Sequence, residues 1–416
     1  MKRASLIAVG NELLSGLTID TNSAFLGGQL QRLGLDVVSR YTVPDELTAI
    51  ERALTLASQD ADVVLLTGGL GPTDDDVSRQ GMAQYLGVEL KFQEHLLEPI
   101  RRLFEARGLD MPARNRVQAC LPEGTEALPN ECGTAPGVMA RRGDAYFFLM
   151  PGVPKEMKRM YSSAVEPVLR PWVGSQSIEH RRLKCFGPGE SALVEKLGDR
   201  MQRGRNPLIN CTVTLGVITL HIIGQGRSEA AARELVEEAE SHVRALLGRW
   251  VYGTGEQTLA EVVGGELRRL GQTLAVAESC TGGLLGKEVT DVPGASTFFH
   301  RGWITYSNQA KSEELGVPAD VIARHGAVSA EVAEAMATAA RRKSKSDYSI
   351  AITGVAGPDG GTDSKPVGLV FIAVDSAAGC QVKRCCFAGD RQSIRQRAAQ
   401  TALHTLWQKL HFDLPQ

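Results

Sequence analysis

A hydroxyl placed where a strand gives way to a helix is a candidate nucleophile, and Ser279 stands in such a place. In TLAVAESCTGGLLG (273–286) the apolar run 273–277 suits a buried strand, residues 278–281 break it, and Gly282 and Gly283 precede a new apolar stretch. Two roles fit a serine there. Ser279 or Thr281 can cap the new helix, and on this stretch alone the cap is favoured, because Ser and Thr lead at helix N-termini. Alternatively Ser279 attacks a carbonyl while converging backbone N–H groups hold the oxyanion.

A serine nucleophile needs a base. His300 and His325 are the local histidines, but neither has a G-x-S-x-G context or an evident acid partner. Lys311 is the better candidate, because in TYSNQAK it follows Tyr306 at the end of a strand-like run and the start of a helix. A desolvated lysine is neutral near pH 7 and serves as a base, with a tyrosine to relay or orient the proton; a solvated one is an ordinary helix residue. Further on, AITGVAGPDGG (351–361) is a strand emptying into a glycine-rich loop whose N–H groups suit a phosphate or carboxylate. GDRQSIR (389–395) places Arg391 at a helix start, where a guanidinium can pair with an anion.

A second cluster lies near the other end. In TGGLGPTDDDVS (67–78) a strand ends at Thr67, Gly68, Gly69 and Gly71 open a loop, and Asp74, Asp75 and Asp76 crowd together. Glycines permit close approach to phosphate, and clustered carboxylates repel unless cations intervene; a solvated acidic helix start is the plainer alternative. Neither a P-loop nor a G-x-G-x-x-G fingerprint is present.

The elements that must position these residues alternate. Residues 1–170 and 256–416 each read strand, helix, strand, as in a parallel sheet covered by helices, giving an α/β class. Between them, 171–255 carries three strand-like runs and two helices, a small α+β module. The 416 residues exceed one core, and 43% hydrophobic with 23% charged residues is an ordinary globular balance. A net charge of -2 without a basic run argues against direct nucleic-acid binding, and no apolar run reaches membrane-spanning length. The eight cysteines are scattered with neither C-x-x-C nor zinc spacing, which fits a reduced, cytoplasmic protein.

AESCTGG, RGWITYSNQAK, ARHGAVS, TGVAGPDGG, KPVG and GDR occur in the order seen in the C-terminal domain of the competence/damage-inducible protein A (CinA) family. That domain is similar to bacterial nicotinamide-nucleotide amidohydrolases. The resemblance implies that Ser279 is the nucleophile, activated by Tyr306 and Lys311, and that Thr353, Gly354 and Arg391 bind or orient the nucleotide. N–H groups around Cys280, Thr281, Gly282 and Gly283 would hold the oxyanion. The implied reaction deamidates nicotinamide mononucleotide to nicotinic acid mononucleotide, without a cofactor.

GNELLSGLTIDTNS, TGGLGPTDDDVS, NECGTAPG and PGVPKEM resemble the N-terminal domain of the same family, which is similar to molybdopterin-binding proteins and associated with ADP-ribose pyrophosphatase activity. Asp75, Asp76 and Asp45 are then the metal candidates, for Mg, Mn or Co, and Gly68, Gly69, Gly71 and Thr73 cradle phosphate. Asn22, Gly133, Thr134 and Gly152 line the pocket. Ser78 stands where the family often has threonine, and Met150 where it often has leucine. The middle module resembles the family's KH-like domain, although FGPGES lacks a basic G-x-x-G loop. The expectation is a homodimeric, bifunctional enzyme acting on nicotinamide mononucleotide and ADP-ribose. A pterin nucleotide binder or adenylyltransferase, and an interaction protein in competence or DNA-damage response, are the alternatives.

Overall fold

The computed structural model describes residues 2–174 and 177–412. Two compact units emerge, residues 1–179 with 224–235, and residues 180–223 with 236–416. The class is mixed α/β throughout.

In the first unit, a six-stranded sheet has the order Asp36–Val43, Arg3–Val9, Val63–Thr67, Ala145–Met150, Gly137–Arg142, Glu126–Leu128. The first four strands are mutually parallel and the last two join antiparallel. Each central strand is apolar on both faces, and alternation sorts its residues. Ile7, Val64, Leu66, Phe147 and Leu149 pack with Ile50, Leu54 and Met82 on one face. Leu6, Val63, Leu65, Phe148 and Met150 pack with Leu26, Leu30, Met157 and Tyr161 on the other. Helices Leu47–Asp60 and Ser78–Leu86 therefore cover one side, Thr21–Arg32 and Pro154–Met160 the other. Parallel pairing brings the carboxyl ends of Arg3–Val9, Val63–Thr67 and Ala145–Met150 to one edge, where ligands bind in such sheets.

In the second unit, a five-stranded sheet has the order Phe299–Ile304, Leu274–Glu278, Tyr348–Gly354, Leu369–Ser376, Gly379–Cys386. The first three strands are parallel and the last two antiparallel. Val276, Ile350, Ile352, Val370 and Ile372 meet helices Leu259–Leu270 and Arg391–Phe412 through Val263, Leu267, Leu403 and Leu406. At its centre the opposite face offers the small Ala277, Ala351 and Ala373, bordered by Trp303, Phe371 and Val382, and helix Ala330–Ser344 packs there through Ala333, Met336, Ala337 and Ala340. Residues 180–223 and 236–255 add a smaller core around Leu183, Leu193, Ile209, Leu220, Val236 and Val243. Phe186 at the end of one of its strands enters the larger core, with its ring 5.1 Å from that of His404.

The expected strands at 274–278, 348–354 and 369–376 stand, as do the long helices. Strands Gly137–Arg142, Val251–Thr254 and Gly379–Cys386 carry no strong periodic signal and are new in the structure. Among the described residues no helix is long and apolar enough to cross a membrane. Phe148 is fully buried, and Phe148→Ala leaves a ring-sized void, so it destabilises the first unit by about 3–5 kcal/mol, read as a lower urea midpoint for that unit.

Candidate active site

Strand Leu274–Glu278 lies between two parallel neighbours, so its carboxyl end opens at the edge of the sheet. The chain turns at once: Ser279 N–H donates to Ile352 O at 2.9 Å, and Gly282 N–H returns to Ser279 O at 3.0 Å. Gly282 and Gly283 take φ of 56° and 93°, left-handed values that glycine adopts without strain. Helix Leu284–Thr290 begins there with no Ser or Thr cap. The buried Glu278 carboxylate caps it instead, accepting from Gly283 N–H at 3.0 Å, Leu285 N–H at 3.1 Å and Gly286 N–H at 2.8 Å. The capping role considered for Ser279 and Thr281 thus belongs to a residue the sequence reading passed over.

Ser279 is released for chemistry. Lys311 Nζ lies 3.0 Å from Ser279 Oγ and donates to Thr305 O at 2.9 Å, with Tyr306 O at 3.5 Å. Lys311 is 1% exposed. It opens a π-helical turn, Lys311–Leu315, after the short helix Asn308–Ala310 that Ser307 caps. Such π-bulges recur at functional positions in helices. Burial drives the Lys311 amine below its ordinary value and so toward the neutral form. The adjacent Cys280 thiol is pushed up by burial to about 12, which keeps it protonated and weakly nucleophilic despite its intrinsic advantage.

Tyr306 takes a different place from the expected relay. Its hydroxyl accepts from Arg391 Nη2 at 2.7 Å, and its side chain is largely exposed. Its backbone carbonyl is the part that approaches Lys311, so the contact between the Lys311 amine and the Ser279 hydroxyl is direct. Arg391 also donates to Gly357 O at 2.7 Å, tying the glycine-rich loop to Tyr306. Thr353 is buried with its hydroxyl donated to Ala327 O at 2.8 Å, so it braces a neighbouring loop rather than facing a ligand. A Cβ on Gly354 would meet Leu369 O at 2.7 Å, so this glycine serves strand packing. Arg395, one helical turn beyond Arg391, donates to Thr281 O at 2.6 Å. A cavity of about 460 Å³ lies against Leu284, Arg391, Gln392, Arg395 and Gln396, beside Asp390. Its two guanidiniums suit an anion. The (i, i+4) arginine pair in GDRQSIR was the signal available for Arg395.

The oxyanion expectation narrows. Gly282 and Gly283 N–H groups are committed to Ser279 O and Glu278, leaving Cys280 and Thr281 N–H without an oxygen acceptor among the described residues.

The first unit's loop is built by close approach. A Cβ on Gly68 would stand 2.3 Å from Val9 O, on Gly69 2.4 Å from Ser78 Oγ, and on Gly71 2.3 Å from Asp76 Oδ2. Asp76 accepts from Gly71 N–H at 2.7 Å, Thr73 N–H at 2.9 Å and the Thr73 hydroxyl. Buried Arg79 holds the same loop through Leu70 O at 2.6 Å and Gly71 O at 2.9 Å. Asp45 accepts from Asn11 N–H at 2.9 Å. The structure does not assemble Asp45, Asp75 and Asp76 into a ligand set: no three His, Cys, Asp or Glu gather as a metal site among the described residues, and both Asp76 oxygens are engaged by the loop. These residues as they stand do not fit the expected divalent ion. Asn22 donates to Gly152 O at 2.7 Å, and Gly152 lies against Gly68, so these three share one edge. Gly133 and Thr134 instead border an apolar cavity of about 340 Å³, with Leu96, Ile100, Leu128 and Pro136.

Lys311 supplies a stability test. The unfolded chain holds its proton up to the ordinary value of 10.5, and burial lowers that value on folding, so folding releases a proton and stability rises with pH until that value is passed. Lys311→Met removes this cost. Its thermal midpoint exceeds the wild type's at pH 7, and the gain shrinks toward pH 10.5; a lower midpoint at pH 7 would show that the lost hydrogen bonds outweigh burial.

Three family models match the chain: the CinA C-terminal domain over residues 256–410, the probable molybdopterin binding domain over 5–171, and the damage-inducible protein CinA KH domain over 180–253. A CinA-like protein of Geobacter sulfurreducens is 42% identical over 412 residues, covering 99% of each chain. A CinA-like protein of Solibacter usitatus is 39% identical over 98% of each. Among solved structures, the CinA protein of Thermoplasma acidophilum is 36% identical, covering 40% of this chain and 98% of its own, with a TM-score of 0.38. With full-length relatives at this identity and all three domain models in order, the chain belongs to the CinA family.

Proposed function

We propose that the C-terminal site hydrolyses the carboxamide of nicotinamide mononucleotide, giving nicotinic acid mononucleotide and ammonia. The observation that carries this reading is the buried Lys311 amine 3.0 Å from the Ser279 hydroxyl. Neutral Lys311 takes the Ser279 proton as Oγ bonds to the carboxamide carbon. The oxyanion forms beside the Cys280 and Thr281 N–H groups. When the tetrahedral intermediate collapses, the C–N bond breaks, the Lys311 proton goes to nitrogen and ammonia leaves. Lys311 then takes a proton from water, whose oxygen attacks the ester carbon, and Ser279 recovers its proton as the acid departs. Arg391 and Arg395, against the 460 Å³ cavity, suit the nucleotide's phosphate. Tyr306, anchored by Arg391, orients the substrate rather than the proton.

For the N-terminal domain the proposal is nucleotide binding at the glycine loop that Asp76 and Arg79 hold, with hydrolysis of ADP-ribose to AMP and ribose 5-phosphate as its finer form. Asp45, Asp75 and Asp76 as they stand do not form the metal site such a reaction would use. A cytoplasmic homodimer completes the proposal; the free cysteines accord with a reducing compartment.

Ammonia release by the purified chain from nicotinamide mononucleotide tests the main reading. Ser279→Ala and Lys311→Ala lose the activity by on the order of 10³-fold or more. Arg391→Ala chiefly raises KM. A folded wild type that releases no ammonia sinks the reading and favours an interaction protein.

A further inference from the structure

Glu278 is a buried carboxylate next to the nucleophile that the scheme above does not use. It is 1% exposed, and a polar group that far from water is stable only when hydrogen bonds replace its hydration. Oε2 accepts from Gly283 N–H at 3.0 Å and Leu285 N–H at 3.1 Å, and Oε1 from Gly286 N–H at 2.8 Å. These are first-turn donors that a helix leaves unpaired. The backbone carbonyl of the same residue accepts from Thr305 N–H at 2.8 Å, and Thr305 O in turn holds Lys311 Nζ at 2.9 Å. One residue thus fastens the nucleophile's turn through its side chain and the lysine's loop through its main chain.

The consequence lies in what is left over. Of the four N–H groups at 280–283, Gly282 is closed onto Ser279 O and Gly283 onto Glu278, so among the described residues Cys280, whose N–H lies against its own thiol, and Thr281 are the two without an oxygen acceptor. Arg395 holds the carbonyl of Thr281 at 2.6 Å from the other side, fixing the plane of the following peptide.

We propose that Glu278 is the positioning residue of the oxyanion hole: by accepting the Gly283, Leu285 and Gly286 N–H groups it fixes the turn after Ser279 so that the Cys280 and Thr281 N–H groups serve the tetrahedral intermediate on Ser279. This rests on the reading of Ser279 as nucleophile. Glu278 itself touches no reacting atom.

The test uses the full chain and a fluorophosphonate probe, which reports on an activated serine whatever its natural substrate. Ser279 Oγ bonds to phosphorus, fluoride leaves and Lys311 takes the proton. Glu278→Gln keeps the side-chain shape and one acceptor oxygen but turns an amide donor toward N–H donors, so either the Gly286 acceptance or the Gly283 and Leu285 pair is lost. Labelling of Ser279 is expected to slow roughly a hundredfold in this variant, the loss typical of a disturbed oxyanion donor. In wild type, phosphonylation moves the amide proton resonances of Cys280 and Thr281 and leaves those of Gly283, Leu285 and Gly286 in place. Because that spectrum needs no variant, it decides the matter even where Glu278→Gln folds poorly. Wild-type labelling rates in Glu278→Gln, or a Gly283 resonance that moves with that of Cys280, overturn the positioning role alone. A wild type no more reactive than Ser279→Ala overturns the nucleophile reading, and the positioning role with it.

Discussion

Lys311 carries an amine out of water to within 3.0 Å of a serine hydroxyl, and an amine there is tolerable only if it sheds its proton or has its hydrogen bonds met. Much of the C-terminal site follows from that constraint. Thr305 O must lie under the ammonium position, which requires Phe299–Ile304 to run parallel to Leu274–Glu278 and end level with it. Lys311 opens the π-helical turn Lys311–Leu315 and is buried there. Burial that pushes the lysine toward its neutral form also raises the neighbouring thiol, so one low-dielectric environment favours an amine able to accept a proton and disfavours the thiolate.

The two units solve a similar problem with different means. Both gather loops at the carboxyl ends of parallel strands, and both fix a glycine-bearing turn with a carboxylate that accepts backbone N–H groups. In the first unit Asp76 is on the loop it fastens, and Arg79 reinforces it from the next helix. In the second, Glu278 lies on the strand before the turn and reaches forward to the helix beyond. A carboxylate used in this way stiffens a loop, and it is also withdrawn from metal ligation, which is why an acidic cluster in the sequence need not become a metal centre.

The sequence made the sheet strands of both α/β domains legible, because runs such as VVLLT and LAVAE are apolar on both faces. Gly379–Cys386 escaped because an outer strand exposes most of its residues, and GCQVKRCC shows no clean period. Ser279 and Lys311 were legible through order and type, but the contact between them depends on strand register, which single-strand patterns do not carry. Tyr306 and Thr353 were read as facing the chemistry, whereas Arg391 claims one hydroxyl and Ala327 the other. Glu278 was hidden by the expectation that a helix cap is a short polar side chain immediately before the helix; here a longer one reaches forward from the strand.

Acid-quenched turnover of nicotinamide mononucleotide, followed by mass mapping of the modified peptide, tests the central claim most directly. The account predicts a nucleotide-bearing nicotinoyl ester on Ser279, formed before product and lost on further incubation. Ammonia release with the adduct on Cys280, or with no adduct on a timescale that resolves turnover, would contradict it.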